Sequence, residues 1–455
     1  MPAIRGSADA APGRRIVIAG AGFAALSALR NLPPVPGLGV TLVDQNSYST
    51  FQPLLYQVAT AGLTAADVAY PIRAVAHRTG AEFRRAKITR VDPAGRQVCL
   101  ADGTVLDYDY LILATGVTAA FFGVPGAAEH AMSLYTRKDA VRLRDRLMAE
   151  LDSRSVPGDD RDLYITVVGG GATGVELAGT LAELRNIALP SAFPEIDRSR
   201  MHVRLVELAP ALLTPFRDSL RDYARDELLA RGVDVRLGAQ IKRVQPDTVV
   251  ISGGSPEPGA SPDGDGHGDS PDGSAGDSDG DPGERTVSSD ITVWAAGVAA
   301  PDWIAATGLP TGPGGRIRVG PDLRVDGQDA IFAVGDLAVI DGQQLPQVAQ
   351  PAIQQGRHAA VQIGRLLAGQ PTTAFRYKDK GIMATIGHRS AVVELPSRIR
   401  AKGTLAWLAW LALHLVTLLG NRNRIAALVN LSWRYLTWSR GGGVIVGDEE
   451  TDPDA

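Results

Sequence analysis

Two glycine-rich stretches of this chain have the spacing that can bind a pyrophosphate. In one of them Gly169, Gly171 and Gly174 follow a β-branched run at 165–168 and open a helix predicted over 175–184. The first glycine permits a tight turn, the second lets the backbone approach a pyrophosphate, and the third lets helix and strand pack closely. Free N–H groups at the helix N-terminus attract the phosphates. This stretch therefore predicts a dinucleotide site.

A second copy of the motif lies near the start of the chain. An apolar strand runs into Gly20 and Gly22, and a helix is predicted over 24–31. Ala25 stands where the third glycine is expected, a replacement that the fingerprint tolerates. One such motif alone is a weak indication. Two copies, each after a predicted strand, favour two dinucleotide-binding units.

An acidic residue ends the next predicted strand after each motif. Asp44 ends the strand at 39–44, and Glu207 ends the strand at 202–207. A carboxylate at this place can accept hydrogen bonds from a ribose, although for Asp44 a solvated carboxylate at a strand end is the alternative. Glu207 would repel a 2′-phosphate, so NADH is favoured over NADPH. Arg204 lies earlier in the same strand and weakens this preference only slightly.

Composition narrows the possible functions. The 455 residues carry 46 basic and 50 acidic side chains, a net charge of −4, which gives no reason to expect nucleic acid as a partner. Cys99 is the single cysteine, so the chain has no intramolecular disulfide and no C-x-x-C redox pair. Redox chemistry must therefore come from a bound cofactor. Residues 1–13 lack the apolar core of a secretory signal and are predicted to be a disordered arm.

One internal segment differs from the rest of the chain. Residues 252–285 are almost entirely Gly, Pro, Ser and Asp, with nine acidic residues against one arginine. The segment has no large apolar side chain and cannot offset the entropy of its own ordering, so it is predicted to be a disordered hairpin insertion. His267 among the aspartates could suggest a metal site, but a solvated linker is the better interpretation. We expect no metal.

Several further stretches together resemble the signature of one family. They are FQPLLYQVAT at 51–60, Ala-Thr-Gly at 114–116, WAAGV at 294–298, AVGD at 333–336, AQPAIQQG at 349–356 and KGIMATIG at 380–387. With the two fingerprints, they are similar to type II NADH dehydrogenases. These are FAD-dependent, non-proton-pumping NADH:quinone oxidoreductases of the respiratory chain, within the flavoproteins built on two dinucleotide-binding domains. The resemblance covers roughly 14–440 outside the insertion. It departs at Ala25, and at Ala24 where the family often has glycine.

The resemblance implies an α/β fold with two Rossmann-like domains and a C-terminal helical, membrane-associating segment. The FAD-binding domain would comprise 14–120 and 296–395 and would be interrupted by an NADH-binding domain at 121–295. Membrane-associating helices would follow at 396–440, with a tail at 441–455. We expect hydride transfer from NADH to bound FAD, then transfer of two electrons to a membrane quinone.

The resemblance also assigns roles to individual residues. Glu176 would contact the nicotinamide end and influence proton handling, although a salt-bridged helix glutamate is the alternative. Gln350, Gln354 and Lys380 would orient the quinone and stabilise negative charge on the flavin; without the pattern, the two glutamines would be ordinary surface residues. Asp336 would hydrogen-bond the flavin's ribityl or phosphate region, which is compatible with an N-cap role. The expected FAD contacts are Gly20, Gly22, Ala25, Asp44, Thr115, Gly116, Gly335, Asp336 and Ala349. The expected NADH contacts are Gly169, Gly171, Gly174, Glu207 and Gly297.

The C-terminal segment predicts a location at a membrane. Residues 405–419 form an apolar run that is short for a span of about 20 residues. Aromatic and basic residues flank and interleave it: Trp407, Trp410, Trp433, Trp438, Arg422, Arg424, Arg434 and Arg440. Tryptophan at this density is expected at headgroup level. The alternative is a buried helix pair or a dimer interface, in which His414 would face a partner helix rather than a metal.

The sequence therefore predicts a peripheral or monotopic enzyme on the cytoplasmic face of the cell membrane that does not pump ions. A homodimer is an expectation from the resemblance alone. Two other classes remain open. One is a soluble FAD-dependent NADH reductase that serves a protein acceptor. The other is a non-catalytic NADH-binding flavoprotein, which should bind NADH yet reduce quinone negligibly.

Overall fold

The computed structural model describes residues 13–254, 283–343, 345–397 and 399–437, and side chains as far as 432. Most of the predicted arm, the body of the insertion with His267, and the predicted tail lie outside the described residues, as do Trp438 and Arg440. The helices in chain order are α1 Phe23–Asn31, α2 Leu55–Ala59, α3 Ile72–Thr79, α4 Ala127–His130, α5 Arg137–Arg154, α6 Ala172–Glu183, α7 Leu189–Ala192, α8 Asp218–Ala230, α9 Ala349–Leu367, α10 Thr404–Thr417 and α11 Asn421–Thr437.

The chain divides into two compact units. The first comprises Met1–Thr50, Tyr70–Thr118 and Val298–Lys380, and the second comprises Phe51–Ala69, Ala119–Gly297 and Gly381–Ala455. Each unit has its own five-stranded parallel sheet. A parallel sheet needs crossover connections that cover its faces, and helices supply them here.

The first unit is built on a sheet whose strands, in spatial order, are Ile331–Ala333, Tyr110–Leu113, Arg15–Ala19, Gly39–Asp44 and Glu82–Arg85. The central strand reads RIVIA, and its last four residues are buried. Helices α1 and α9 pack against each other; a Cβ on Gly356 of α9 would collide with the Ala24 carbonyl oxygen of α1. The smaller strands are Ile88–Asp92, Gln97–Leu100 and Val105–Asp107 in one antiparallel sheet, and Ile317–Val319 and Ala338–Ile340 in a parallel pair.

The second unit repeats this architecture. Its parallel strands, in spatial order, are Met132–Ser133, Ile291–Trp294, Leu163–Val168, Met201–Glu207 and Asp234–Leu237. Two antiparallel sheets accompany it: Ala239–Val244, Thr248–Gly253 and Glu284–Ser288 in the first, and Ile382–Gly387, Ser390–Glu394 and Arg400–Lys402 in the second. Two parallel sheets, each with a glycine-rich turn between its central strand and the helix that follows, confirm the predicted α/β class with two Rossmann-like domains.

The ends of the predicted insertion are ordered strand residues. Thr248–Gly253 pairs antiparallel with Glu284–Ser288, and Ser252 lies opposite Glu284. The boundaries predicted for the insertion, 252 and 285, are therefore too wide. Backbone hydrogen bonds between the two strands extend the hairpin even where apolar side chains are absent. The Gly- and Asp-rich residues 255–282 lie outside the described residues.

The compact units differ from the predicted cofactor domains at two places. The segment Phe51–Ala69 belongs to the second unit, as does the chain from Gly381 onwards. Helix α2 explains the first difference, because all five of its residues are buried and it packs against α5 and α6. The bounds of the cofactor domains stay a prediction.

Helices α10 and α11 carry the predicted membrane segment. None of the helices in the described ranges combines the length and apolarity needed to cross a bilayer. Trp407 and Trp410 are buried in the second unit, so placing them at headgroup level is wrong. The side chain of Trp433 is not described. Exposed aliphatic side chains of α10 and α11 are instead Leu405, Leu408, Leu413, Val416, Ile425, Leu428 and Val429.

Candidate functional site

The first glycine-rich turn has the geometry of a phosphate cradle. The Gly20 N–H donates to the Val43 carbonyl at 2.7 Å. Gly20 has a φ of 99°, and a Cβ there would collide with the Ala114 carbonyl, so only glycine fits. Gly22 precedes α1 without a side-chain cap, and a Cβ there would meet nothing within 4 Å. Space and free N–H groups at the start of a helix suit an anionic ligand. Ala25 is buried on α1.

Asp44 is held at this turn rather than solvated. Its Oδ2 accepts from the Ala21 N–H at 2.8 Å, and its Oδ1 accepts from the Asn46 N–H at 2.7 Å. Burial raises the pKa of Asp44, and these two backbone N–H groups partly offset that effect. The solvated alternative therefore does not describe it.

The second turn repeats this geometry residue by residue. The Gly169 N–H donates to the Val206 carbonyl at 2.8 Å, and its φ is 107°. Gly171 precedes α6 without a side-chain cap, and a Cβ there would meet nothing within 4 Å. A Cβ on Gly174 would collide with the Gly169 carbonyl oxygen, so this glycine serves helix packing. Gly169 and Gly174 thus meet the turn and packing requirements of the motif, and Gly171 leaves the helix start open.

Glu207 corresponds to Asp44. Its carboxylate accepts from the Gly170 N–H and, at 2.6 Å, from the Ala209 N–H. Arg204 is buried and donates to Asp234 at 2.8 Å and to the Ser288 carbonyl at 3.4 Å. Because Arg204 is engaged in this way, it gives no reason to weaken the predicted preference for an unphosphorylated ribose at Glu207.

Glu176 is a buried acid on α6. Its Oε1 accepts from the Thr385 N–H at 3.3 Å. Burial raises its pKa to about 8, and interactions with the Thr385 N–H and the Trp410 indole offset only part of this. The indole N–H of Trp410 makes no hydrogen bond of good geometry among the described residues, so its effect on Glu176 is weak. No ion pair of Glu176 is present in the described part of the chain, and the salt-bridge alternative is therefore not supported.

Aromatic residues surround this part of the second unit. The rings of Trp410 and His414 stack with centroids 4.1 Å apart, and His414 Nδ1 lies 2.7 Å from the Trp410 carbonyl. The His414 ring meets Phe51 edge-on at 6.2 Å, and the Trp410 ring lies 6.3 Å from that of Tyr56. The FQPLLYQVAT stretch and α10 therefore pack together. Burial lowers the pKa of His414 to about 4, and the Trp410 carbonyl partly opposes this.

The Gly335–Asp336 pair forms a single 3₁₀ turn, Gly335–Leu337, which a strand follows. The helix that begins at Gly335 ends after this one turn, because Ala338–Ile340 pairs with Ile317–Val319. Val334 takes the N-cap position, so Asp336 is not an N-cap residue. Burial raises the pKa of Asp336 to about 6, and the Arg316 guanidinium partly opposes this.

Unpartnered polar atoms in the first unit show where a ligand fits. Thr115 Oγ1 and Gln350 Oε1 are buried, and neither has a hydrogen-bond partner in the part of the chain that the structure describes. Such atoms are costly to bury unless a ligand or water satisfies them. Gly116 has a φ of 70°, and Ala349 opens α9 after Val348, which provides no side-chain cap. These residues fit a polar, phosphate-bearing cofactor such as FAD.

The other predicted quinone residues have different environments. The Gln354 amide makes two hydrogen bonds of 3.0 Å with the Lys378 backbone, so it positions that segment. Lys380 is exposed and has no ion pair with a described residue. Sequence reasoning missed Gln355, whose Oε1 accepts from the Gly335 N–H at 2.6 Å, although it stands within the same glutamine pattern. In the second unit Gly297 has a φ of 139°, and a Cβ there would lie 2.6 Å from the Phe122 ring.

Known proteins are similar to this chain over nearly its whole length. The family model for pyridine nucleotide-disulphide oxidoreductases matches residues 14–356, and that for the NDH2 C-terminal domain matches residues 380–438. The type II NADH:quinone oxidoreductase NdhA of Mycobacterium tuberculosis is 36% identical over 454 residues, covering 96% of this chain and 90% of the relative. Ndh of the same organism is 34% identical and covers 94% of this chain and 89% of the relative.

A solved structure of NDH2 from Plasmodium falciparum in complex with NADH has the same fold. Its TM-score is 0.81 at 19% identity, over 94% of this chain and 99% of that one. The fold, the two glycine-rich turns and these relatives agree with the resemblance found in the sequence. The chain therefore belongs to the type II NADH:quinone oxidoreductases, within the pyridine nucleotide-disulphide oxidoreductase family.

Proposed function

We propose that this chain oxidises NADH and reduces a membrane quinone, using bound FAD and pumping no protons. The observation that carries this proposal is the repeated turn geometry, in which each unit presents an open glycine-rich helix start beside a backbone-held acid. When bound, FAD supplies the two-electron chemistry that links NADH to quinone. The chain's own residues bind and orient these ligands and hold protons. Cofactor domains at 14–120 with 296–395 and at 121–295 remain part of the proposal.

The first unit holds FAD. Gly20 and Gly22 leave room for its pyrophosphate, and Asp44 accepts from its ribose. Thr115 Oγ1 and Gln350 Oε1 are buried acceptors that such a ligand would satisfy. The remaining contacts in the proposal are Ala25, Gly116, Gly335, Asp336 and Ala349.

The second unit holds NADH. Gly169, Gly171 and Gly174 form its pyrophosphate turn, and Glu207 selects the unphosphorylated ribose, since a 2′-phosphate would meet its negative charge. Gly297 completes the proposed contacts. Its positive φ and the close Phe122 ring leave no room for a side chain.

Glu176 acts as a proton-holding group. With a pKa of about 8 its carboxyl is largely protonated at neutral pH and can donate a proton, which an ordinary glutamate cannot do. Gln350 and Lys380 orient and polarise the quinone. Gln354 is a positioning residue, because its amide is already bonded to the Lys378 backbone.

The exposed aliphatic residues of α10 and α11 bind the cytoplasmic face of the membrane. Leu405, Leu408 and Val416 recur at helical spacing and are at least half exposed. A helix surface of this kind is suited to lie in the headgroup region. The same surface could instead pair two copies of the chain, which is the homodimer expected from the resemblance.

The Val416→Glu variant, studied by vesicle flotation, distinguishes membrane binding from dimerisation. The charge should weaken vesicle binding by about tenfold or more, because a carboxylate is costly at the membrane interface and the apolar contact of the Val416 side chain with the membrane is lost. Val361→Glu is the matched control, since Val361 is an exposed valine on α9 of the other unit. If Val416→Glu leaves flotation intact but changes the oligomeric state in detergent, the surface is a dimer interface.

The catalytic proposal is tested by NADH oxidation with purified, detergent-solubilised protein. We expect a short-chain quinone to stimulate oxidation, with NADH clearly preferred over NADPH. If NADH reduces the flavin but quinone does not reoxidise it, the quinone assignment is wrong and a soluble reductase with a protein acceptor becomes the better interpretation. Negligible turnover with tight NADH binding would indicate a non-catalytic flavoprotein.

A further inference from the structure

A cleft lies in the second unit, at the amino-terminal ends of the parallel strands, opposite the glycine-rich turn. Its volume is about 650 Å³. Tyr164, His202 and Asp234 line it, and each is the first or second residue of a parallel strand. Gly169 and Glu207, in contrast, stand at the carboxyl ends of those strands. The cleft is therefore separate from the proposed NADH site.

The cleft carries uncompensated positive charge. Of the four arginines that line it, Arg204 pairs with Asp234 at 2.8 Å and Arg231 lies 3.5 Å from both Glu183 and Glu227. Arg185 and Arg198 have no carboxylate within ion-pair distance among the residues that the structure describes. Two guanidinium groups without a carboxylate partner in one cleft attract an anion.

Helix capping accounts for only one of these two arginines. Arg185 caps the C-terminal end of α8 by donating to the carbonyls of Arg231 and Gly232. It also donates to the Met201 carbonyl at 3.3 Å and to the Asn186 amide oxygen at 3.0 Å. Burial lowers the pKa of Arg185, and the charge of Arg198 lowers it further. The Arg198 side chain is exposed and makes no hydrogen bond or ion pair with a residue that the structure describes, so no side-chain contact in the fold accounts for it.

Two further features of the cleft match parts of a nucleotide. The rings of Tyr164 and His202 stack 4.6 Å apart with planes 14° from parallel, so the lining of the cleft includes an ordered aromatic pair. Asp234 Oδ2 accepts from Arg204 and Arg236, at 2.8 and 2.9 Å. Its other oxygen, Oδ1, is buried and has no partner in the described chain, so it can accept from a ligand hydroxyl or amino group.

We propose that this cleft is a second nucleotide site, distinct from the NADH and FAD sites. The phosphate groups of the nucleotide lie against Arg198 and Arg185, its base lies against the Tyr164–His202 pair, and Asp234 Oδ1 accepts from its sugar or base. An inorganic anion would use only the arginines. The combination of charge, aromatic pair and buried acceptor therefore selects a nucleoside phosphate. This inference does not depend on the catalytic roles proposed above.

The test measures ADP binding to the full-length flavoprotein by calorimetry, in a Gly171→Val background that blocks the NADH turn. Gly171 has ordinary backbone angles and open space around it, so the valine fills the dinucleotide site without disturbing the fold. We expect one ADP per chain to bind in this background. Adding Arg198→Glu should weaken ADP binding by about tenfold or more, because a charge-assisted contact is replaced by repulsion.

Arg200→Glu is the matched control. Arg200 belongs to the same 3₁₀ turn, Arg198–Arg200, but does not line the cleft, so its charge reversal should leave ADP affinity within about twofold. His202→Ala should weaken ADP by about three- to tenfold through lost stacking, and should not affect pyrophosphate.

Three outcomes would overturn the proposal. Absence of ADP binding in the Gly171→Val background would leave the glycine-rich turn as the nucleotide site. If Arg198→Glu and Arg200→Glu weaken ADP binding equally, the effect comes from the general surface charge and not from a contact in the cleft. Equal affinities for pyrophosphate and ADP, with no effect of His202→Ala, would show an anion site without base recognition.

Discussion

Replacing Glu176 by glutamine should remove a pH-dependent loss of stability. The Glu176 carboxyl is buried, and its pKa is raised from 4.5 to about 8 chiefly by burial. A raised pKa means that the folded protein holds this proton more tightly than the unfolded chain. The stabilising contribution is therefore complete below about pH 4.5 and is lost as pH rises through about 8. Glutamine has nearly the same shape and cannot ionise, so the variant should not show this loss.

The size of the effect follows from the two pKa values. A shift from 4.5 to about 8 corresponds to roughly 5 kcal/mol well above pH 8, at about 1.4 kcal/mol per pKa unit. Between about pH 5 and pH 8 the wild type should lose roughly 3 to 4 kcal/mol relative to Glu176→Gln. For a unit of this size, that difference moves the melting temperature by several degrees.

The assay is thermal unfolding of the flavin-loaded protein over this pH range at constant ionic strength. The difference in melting temperature, variant minus wild type, should grow steadily towards alkaline pH. Glu129→Gln serves as the control, because Glu129 is an exposed acid in the same unit and should give a flat difference. A difference that is equally flat for Glu176→Gln would mean that Glu176 is ionised in the folded protein at neutral pH, and its proposed proton-holding role would fail.

Three further changes test other parts of the site. Glu207→Gln should lower the preference for NADH over NADPH by about tenfold in kcat/KM, since the repulsion of a 2′-phosphate is lost; an unchanged ratio would contradict the selector role. Gly174→Ala should lower the melting temperature, because its Cβ collides with the Gly169 carbonyl, whereas Gly171→Ala should keep the melting temperature and weaken NADH binding; equal effects of the two would argue against separate roles. For His414, whose pKa is lowered from 6.5 to about 4, the stabilising contribution is complete above about pH 6.5 and is lost as pH falls towards 4. His414→Phe should remove this fall in melting temperature at acid pH. If the variant shows the same fall as the wild type, another group causes it.

The glycine-rich turns were predictable because each glycine answers a local requirement of the backbone. A positive φ at Gly169 and close helix packing at Gly174 are properties of the motif itself. The same holds for Asp44 and Glu207, since the end of the second strand always faces the turn in this fold.

The surroundings of Glu176 could not be predicted, because Thr385 and Trp410 come from distant parts of the sequence. Helix α10 is apolar on nearly every side, so its sequence has no period that tells the buried face from the exposed one. That is why Trp407 and Trp410 were expected at the membrane surface, although they are buried. The contact of Gln355 with Gly335 likewise depends on tertiary packing.

The C-terminal helices have a consequence for anyone who seeks a shorter, detergent-free form of this enzyme. Trp410 of α10 lies beside Glu176, and α11 is tied to the Phe51–Ala69 segment by hydrogen bonds from Asn423 to the Ala69 carbonyl and from Asn430 to Asp67. Cutting the chain before α10 would therefore do more than release an anchor. It would admit water to Glu176 and return its acidity towards that of an ordinary glutamate. Loss of turnover in such a truncated protein would then reflect the changed protonation of Glu176 as much as the loss of membrane binding.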